Sequence, residues 1–289
     1  MMKVTESYSA AGDRKVIICD FSPPKSGEPV VVEPAKSLDA DFICVAYNPG
    51  RAVRANSALL ALAIQQQAGK EVIFNLATRD MNKLALQSLL LGAKLLGLQN
   101  VVVLKGDEFT EKDLTQVRAV DDFSPSGLIR AIASMNQGLD FRGRKLQAGT
   151  DFCIGATIDL GRGVEQEALL TRRKASSGVH FFLTQPVFNT DEIASFEEAY
   201  RAISGGDLAQ PVFYGLQVLA KDGVIFSSVP ERIRADLGRG REGTDIALEL
   251  LHEFQQYGVR GIYLIPPILK GGRRDYQSAQ RVIEIAKQD

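Results

Sequence analysis

Eight short apolar runs recur along the chain, and longer stretches with helical periodicity separate them. The runs are rich in Val, Ile and Phe and are apolar on both faces, which is typical of strands in a parallel sheet that is covered on both sides. In chain order the runs are 15–21, 40–47, 71–77, 100–106, 151–158, 179–185, 211–218 and 260–267. The pattern therefore predicts a parallel sheet built from repeated β-α units.

The separating stretches predict helices, most of which end at a glycine. They are 51–69, 81–97, 124–138, 164–178, 191–205 and 244–258, followed by a last helix, RRDYQSAQRVIEIAKQ. Right-handed crossovers between such units favour closure into a single (β/α)8 barrel over residues 1–289. The alternative, an open doubly wound sheet, usually has a glycine-rich turn after its first strand, whereas this chain has SPPKSG there. We expect residues 1–14 to be flexible or peripheral.

Length, charge and cysteine usage narrow the class of protein. A chain of 289 residues suits one barrel, which needs about 250. A net charge of -1 gives no basic field for nucleic acid or an anionic membrane. The N-terminus lacks the apolar core of a signal peptide, no run is long enough to span a membrane, and no cysteines have the spacing of a zinc site. We expect a cytoplasmic protein without nucleic-acid, membrane or metal partners.

The active site of such a barrel forms where the strands end. The two histidines do not fit that position, because His180 opens the sixth strand and His252 lies in a predicted helix. A metal hydrolase is therefore not expected. The polar residues at the strand ends include the site candidates Asp20, Tyr47, Asn75, Lys105, Asp107, Thr157, Gln185 and Gln217.

Three of these residues suit chemistry, and each also has a structural interpretation. Asp20 interrupts an apolar run, and burial raises the pKa of a carboxyl group so that it can donate a proton near neutrality. Asp107 follows a glycine, where the backbone can approach a ligand, and Gln185 offers a donor and an acceptor to an amide-containing heterocycle. The corresponding structural roles are an acceptor for loop amides, a helix cap and a core hydrogen bond.

Four segments resemble motifs of one enzyme family. DFSPPK is similar to E-F-F-P-P-K, FFLTQPVF to T-Q-P-x-[FY], and GVRGIYLIPP to the last strand of that family. NLATRDMNKLALQSLLLGAKLLGLQNVVVLKGD is similar to its segment from strand 3 to strand 4, and is closest to versions fused to homocysteine methyltransferases. On these motifs, over roughly residues 15–285, the chain resembles the methylenetetrahydrofolate reductases.

The resemblance implies a (β/α)8 barrel that carries FAD. It implies reduction of 5,10-methylenetetrahydrofolate to 5-methyltetrahydrofolate with electrons from NADH or NADPH. In this resemblance Asp20 is the acidic proton donor, Asp107 contacts pterin and flavin, and Gln185 holds the pterin. The implied cofactor contacts are Asn75, Lys105, Asp107, Thr157 and Lys174, and the implied substrate contacts are Tyr47, Gln185 and Gln217.

Departures from the family pattern keep more than one function open. Asp20 is one methylene shorter than the usual Glu, Ala46 stands in VAYN where the family has V-T-Y-G, and ATIDLGRG replaces A-x-Y-P. These changes weaken the expectation of FAD more than that of folate, so flavin-free transfer from NADH stays open. The sequence is also compatible with a Schiff-base aldolase that uses Lys105 and with a non-catalytic folate-binding subunit. It is equally compatible with a homo-oligomer or a partner subunit.

Overall fold

Eight parallel strands close into a barrel in the order in which they occur along the chain. The computed structural model describes residues 2–224 and 229–288. The strands are Val16–Phe21 (β1), Phe42–Val45 (β2), Val72–Ala77 (β3), Asn100–Leu104 (β4), Cys153–Ile158 (β5), Phe181–Pro186 (β6), Val212–Gln217 (β7) and Gly261–Ile265 (β8). Closure joins the first strand to the last, with Ile18 beside Tyr263. The predicted (β/α)8 barrel is confirmed, and every predicted strand is present.

Helices surround the barrel and fill the connections between its strands. They are Val4–Ala10 (α1), Glu33–Lys36 (α2), Ser57–Ala68 (α3), Lys83–Leu95 (α4), Glu111–Leu114 (α5), Pro125–Asn136 (α6), Val164–Ala175 (α7), Thr190–Ser204 (α8), Glu231–Gly238 (α9), Gly243–Tyr257 (α10) and Tyr276–Gln288 (α11). No helix among residues 2–224 and 229–288 has both the length and the apolar character needed to cross a membrane.

Side-chain caps explain where several helices begin. The side chains of Asn82, Ser124 and Asn189 each accept a hydrogen bond from a first-turn amide of α4, α6 and α8, respectively. The predicted helix 51–69 instead starts at Ser57. Its expected first turn is a 3-10 turn, Pro49–Arg51, with left-handed backbone at Gly50 and Arg51, so the helix cannot continue through it.

Side chains of the strands alternate between the helices and the barrel interior. Apolar side chains fill the half of the interior nearer the amino-terminal ends of the strands, which we call the lower half. This interior cluster consists of Val4, Val16, Ile18, Phe42, Cys44, Ile73, Val102, Cys153, Phe181, Leu183 and Phe213. Gly155 makes room for this packing, because a Cβ there would lie 2.4 Å from the ring of Phe181. The lower half of the barrel is therefore a packed core.

The N-terminal segment differs from the sequence expectation. Residues 1–14 are expected to be flexible or peripheral, but α1 lies across the amino-terminal end of the barrel. Val4 is fully buried and its N–H donates to Oδ1 of Asn100 at 3.0 Å. The ring of Tyr8 packs edge-on against Phe213, with centroids 5.5 Å apart. Val4, Tyr8 and Ala11 share one helical face, and burying that face closes the lower end.

Candidate active site

Polar side chains occupy the carboxyl end of the barrel interior. Asp20, Asn75 and Thr157 lie two or four residues beyond Ile18, Ile73 and Cys153, which belong to the interior cluster. Alternation along the strands turns these three side chains inward. Gln217 has the same relation to Phe213 of β7. The structure thus brings four side chains together at the carboxyl end of the barrel interior, those of Asp20, Asn75, Thr157 and Gln217.

Gln185 lies at the same end but is exposed. The pairing of β6 with β7 is irregular between Leu183 and Pro186, and the hydroxyl of Thr184 accepts the N–H of Gly215 at 2.8 Å. A Cβ on Gly215 would lie 2.6 Å from the carbonyl oxygen of Gln185. Glycine at this position therefore permits the bulge that carries Gln185 at the barrel mouth.

Asp20 is a buried carboxyl group with two partners. Its side chain is 6% exposed. The hydroxyl of Tyr263 donates to Oδ1 at 2.9 Å, and Nη2 of Arg274 lies 3.4 Å from Oδ2. Burial raises the pKa of Asp20, while Arg274 and the Tyr263 hydrogen bond oppose that rise. The result is an acid that holds its proton more tightly than an ordinary aspartate.

The sequence does not predict Tyr263 for the site, nor the contact of Arg274 with Asp20, although a signal exists for Tyr263. Tyr263 is the polar-tipped residue of the apolar run GIYLI, two positions after Gly261, and closure of the barrel sets it beside β1. Arg274 lies in the loop after β8, 254 residues from Asp20. Nothing in the local sequence around Arg274 indicates that contact.

Two buried amides complete the floor of the site. Asn75 is buried, and its Oδ1 accepts a hydrogen bond from Sγ of Cys44 at 3.3 Å. Gln217 is only 3% exposed, and its Oε1 has no hydrogen-bond partner within the described part of the chain. A buried acceptor without a partner is costly. The oxygen of Gln217 is therefore suited to accept a hydrogen bond from an N–H group of a ligand.

The loops after β2, β3 and β4 are tied together by Arg79. Its guanidinium donates to both carboxylate oxygens of Asp80 and to the carbonyl oxygen of Asp107, and it stacks 4.1 Å over the ring of Phe109. Tyr47 hydrogen-bonds to Asp80, and burial and that carboxylate raise the pKa of the phenol. Arg79 stands in the T-R-D motif of the sequence. It holds the Asp107 backbone at the mouth, where the Asp107 side chain is exposed.

Both lysines predicted to bind a cofactor are paired with carboxylates. Lys105 is exposed, and its Nζ lies 2.8 Å from Oε1 of Glu108. Nζ of Lys174 lies 3.0 Å from Oε1 of Glu167, whose side chain is 1% exposed, and it also donates to the carbonyl oxygen of Thr157 at 2.6 Å. The structure thus joins Lys174 to α7 and the outer edge of β5 rather than to the group around Asp20.

Similarity to known proteins places the chain in a family. The family model described as methylenetetrahydrofolate reductase matches residues 7–220. The chain belongs to the methylenetetrahydrofolate reductase family. The matched range contains Asp20, Asp107, Gln185 and Gln217. The closer likeness to the module fused to homocysteine methyltransferases stays a prediction.

A solved structure shares the fold of this reductase-family chain. It is described as an uncharacterized protein from Clostridium thermocellum that binds two copies of 5-methyl-5,6,7,8-tetrahydrofolic acid. The two chains superpose with a TM-score of 0.70 and 14% sequence identity, over 99% of this chain and 98% of that chain. No curated protein matches the sequence significantly.

Proposed function

We propose that the protein reduces 5,10-methylenetetrahydrofolate to 5-methyltetrahydrofolate with a hydride from NADH or NADPH. One observation carries this proposal: in a member of this family, a buried acid, Asp20, shares the barrel mouth with the amide oxygen of Gln217, which has no hydrogen-bond partner among the described residues. The folate bound by the structural neighbour supports a reduced pterin as the ligand.

Asp20 supplies the proton that opens the five-membered ring of the substrate. The Oδ–H bond breaks and an N10–H bond forms, after which the bond between N10 and the bridging methylene breaks with its electron pair on N10. The lone pair of N5 forms the iminium with that methylene. The hydride of the reduced nicotinamide then adds to the methylene carbon, which yields the 5-methyl group and the oxidised dinucleotide. Asp20 regains its proton from water.

The other mouth residues orient the substrate and stabilise charge. The Oε1 of Gln217 accepts a pterin N–H, and the exposed amide of Gln185 contacts the ring edge at the mouth. The carboxylate of Asp107, held on the loop that Arg79 organises, stabilises the positive iminium. Tyr47 borders the same loops through Asp80. These residues give the reaction its geometry.

FAD is implied by the family resemblance and, when bound, would relay the hydride between dinucleotide and folate. Two of the residues predicted to hold it already have side-chain partners. Lys174 is committed to the buried carboxylate of Glu167, and removing one partner of such a pair costs about 3–5 kcal/mol. Oδ1 of Asn75 already accepts a hydrogen bond from the Cys44 thiol. These contacts favour direct transfer from the nicotinamide, and we propose that route, while FAD stays a prediction from the sequence.

The aldolase hypothesis depends on a desolvated lysine. Lys105 is exposed and paired with Glu108 at 2.8 Å, so it lacks the desolvated surroundings that this hypothesis needs. A non-catalytic folate-binding subunit differs from the proposed enzyme only in turnover. The test of function therefore has to measure turnover.

The experiment follows the nicotinamide absorbance of purified protein mixed with NADH or NADPH and methylenetetrahydrofolate. We expect oxidation that requires both the protein and the folate, by a preparation without the visible absorbance of a flavin. Asp207→Asn, a carboxyl-to-amide change at an exposed site, serves as the control and should behave like the native protein. Folate binding without nicotinamide oxidation would contradict the proposal.

A further inference from the structure

The two carboxyl oxygens of Asp20 have different partners. Oδ1 accepts the hydrogen bond of Tyr263 at 2.9 Å, whereas Oδ2 faces Arg274 across a longer distance of 3.4 Å. The side chains of Arg274 and Asp20 are 7% and 6% exposed, so water screens this pair weakly. The charge of Arg274 therefore acts strongly on the protonation of Asp20.

The loop after β8 holds Arg274 in place. Ile268 and Arg274 form an antiparallel bridge, and the N–H of Asp275 donates to the carbonyl oxygen of Pro267 at 3.0 Å. Between them, Gly271 and Gly272 have φ values of 80° and 81°, which glycine adopts readily. This turn returns the chain to the barrel end and delivers the guanidinium to β1.

Groups from several elements surround Asp20, and their charges influence its protonation state. Tyr263 of β8, Tyr276 of α11, Cys44 of β2 and the adjacent Cys19 all interact with it, and burial raises the pKa of each of these phenols and thiols. They are neutral near neutral pH. Arg274 is the cation that faces the carboxyl group. Beyond it lies the partly buried Arg54, whose Nη1 is bound to the carbonyl oxygen of Pro23 at 2.9 Å.

We propose that Arg274 is a positioning residue whose charge counteracts the effect of burial on Asp20 in the ligand-free barrel, and that Tyr263 fixes Oδ1 so that Oδ2 takes up and releases the proton. This inference rests on the proposed function for its role in catalysis. Burial favours the neutral acid form of Asp20, and Arg274 favours the carboxylate. The balance between these two effects determines how readily Asp20 donates its proton. The Tyr263 hydrogen bond leaves Oδ2 as the oxygen that exchanges its proton.

Carbon-13 NMR of protein labelled at the aspartate carboxyl carbons tests the pair without any substrate. The signal that disappears in Asp20→Asn identifies Asp20. We expect Arg274→Gln to move the titration midpoint of Asp20 upward by at least about one pH unit, because an opposite charge at this distance favours the ionised form. Arg273→Gln removes a neighbouring charge that is exposed, and it should leave the midpoint unchanged.

Two further variants keep the test decisive if Arg274→Gln folds poorly. Arg274→Lys retains the charge, so its midpoint should stay closer to that of the native protein. Tyr263→Phe removes a donor to the carboxylate and should raise the midpoint by less than Arg274→Gln does. An Asp20 midpoint that is the same in native protein, Arg274→Gln and Tyr263→Phe would overturn the proposal.

The pH profile of kcat then links the pair to turnover. Activity that needs protonated Asp20 falls as the pH rises through its pKa, so Arg274→Gln should move that falling limb upward, and Arg274→Lys should restore it. A limb that does not move in Arg274→Gln would contradict the role of Arg274 even in an active reductase. Conversely, a shifted NMR midpoint in a protein without turnover supports the Arg274 contact and counts against the proposed function.

Discussion

Two buried ion pairs near the carboxyl end of the barrel look alike but differ in their surroundings. Glu167 and Lys174 lie on one helix, with N and O atoms 3.0 Å apart, and Lys174 has a further bond to a backbone carbonyl. Asp20 and Arg274 come from opposite ends of the chain, are 3.4 Å apart and face the barrel interior. Burial therefore does not by itself identify a functional carboxylate. Position on the inner face and looser pairing distinguish Asp20.

The largest expected effect is a difference in activity between variants of the two carboxylates, Asp20 and Glu167. Asp20→Asn removes the proton donor and should lower kcat/KM by about 10²–10⁴-fold, which is the usual contribution of a general acid. Glu167→Gln, the matched change in the other pair, should alter activity far less in protein that remains folded. Rates of nicotinamide oxidation measured for both variants decide the comparison. Equal losses would show that the inner pair has no special role.

The next effect separates the two pairs by stability. Lys174→Met leaves the Glu167 carboxylate buried without its cation, and breaking a buried pair in this way costs about 3–5 kcal/mol of unfolding free energy. Urea unfolding of native and variant protein measures the loss. Lys105→Met is the control, because Lys105 belongs to an exposed pair, which contributes about 0–1 kcal/mol. A loss as small as that of the control would place Lys174 outside the structural framework.

A smaller effect concerns Oε1 of Gln217, which has no hydrogen-bond partner among residues 2–224 and 229–288. Gln217→Leu removes one neutral hydrogen-bond acceptor from the proposed pterin site, a change of about 0.5–1.5 kcal/mol that corresponds to roughly a 2- to 13-fold rise in the KM for folate. Because Oε1 has no partner in the described residues, the free energy of unfolding should fall little. An unchanged KM with a large loss of stability would assign Gln217 to the core instead.

The smallest effect is a difference in how stability depends on pH. Burial raises the pKa of Asp20 above its unfolded value. Its contribution to stability is therefore full below the unfolded pKa and declines as the pH rises through the folded pKa. Asp20→Asn lacks this titration, so native protein should lose stability relative to the variant as the pH increases. Urea unfolding across a pH series measures the trend, and a rising relative stability of native protein would contradict the raised pKa.

The sequence predicts the barrel well, because each strand is recognisable as a local apolar run. It also predicts Asp20 and Gln217, because polar residues at the ends of apolar strands must face the mouth or be paired. It does not predict Arg274, whose contact with Asp20 depends on barrel closure and on the turn at Gly271. Helix α1 is missed because seven residues offer too short a pattern to indicate burial.

The pairing of Lys174 shows what a motif match does not predict. The family resemblance implies a cofactor contact there, which stays a prediction, and the structure adds that Glu167 on the same helix pairs with its ammonium group. A motif match transfers a residue type and not its partners. Side-chain partners depend on rotamers and packing that one sequence does not specify.

The most direct test of the proposed reductase activity uses NADH that carries deuterium at the transferable position. Native protein is incubated with this NADH and methylenetetrahydrofolate, and the folate product is analysed by mass spectrometry. We expect 5-methyltetrahydrofolate with one deuterium in its methyl group, and a strongly reduced yield from Asp20→Asn. The absence of methyl product from native protein, or an undiminished yield from Asp20→Asn, would contradict it.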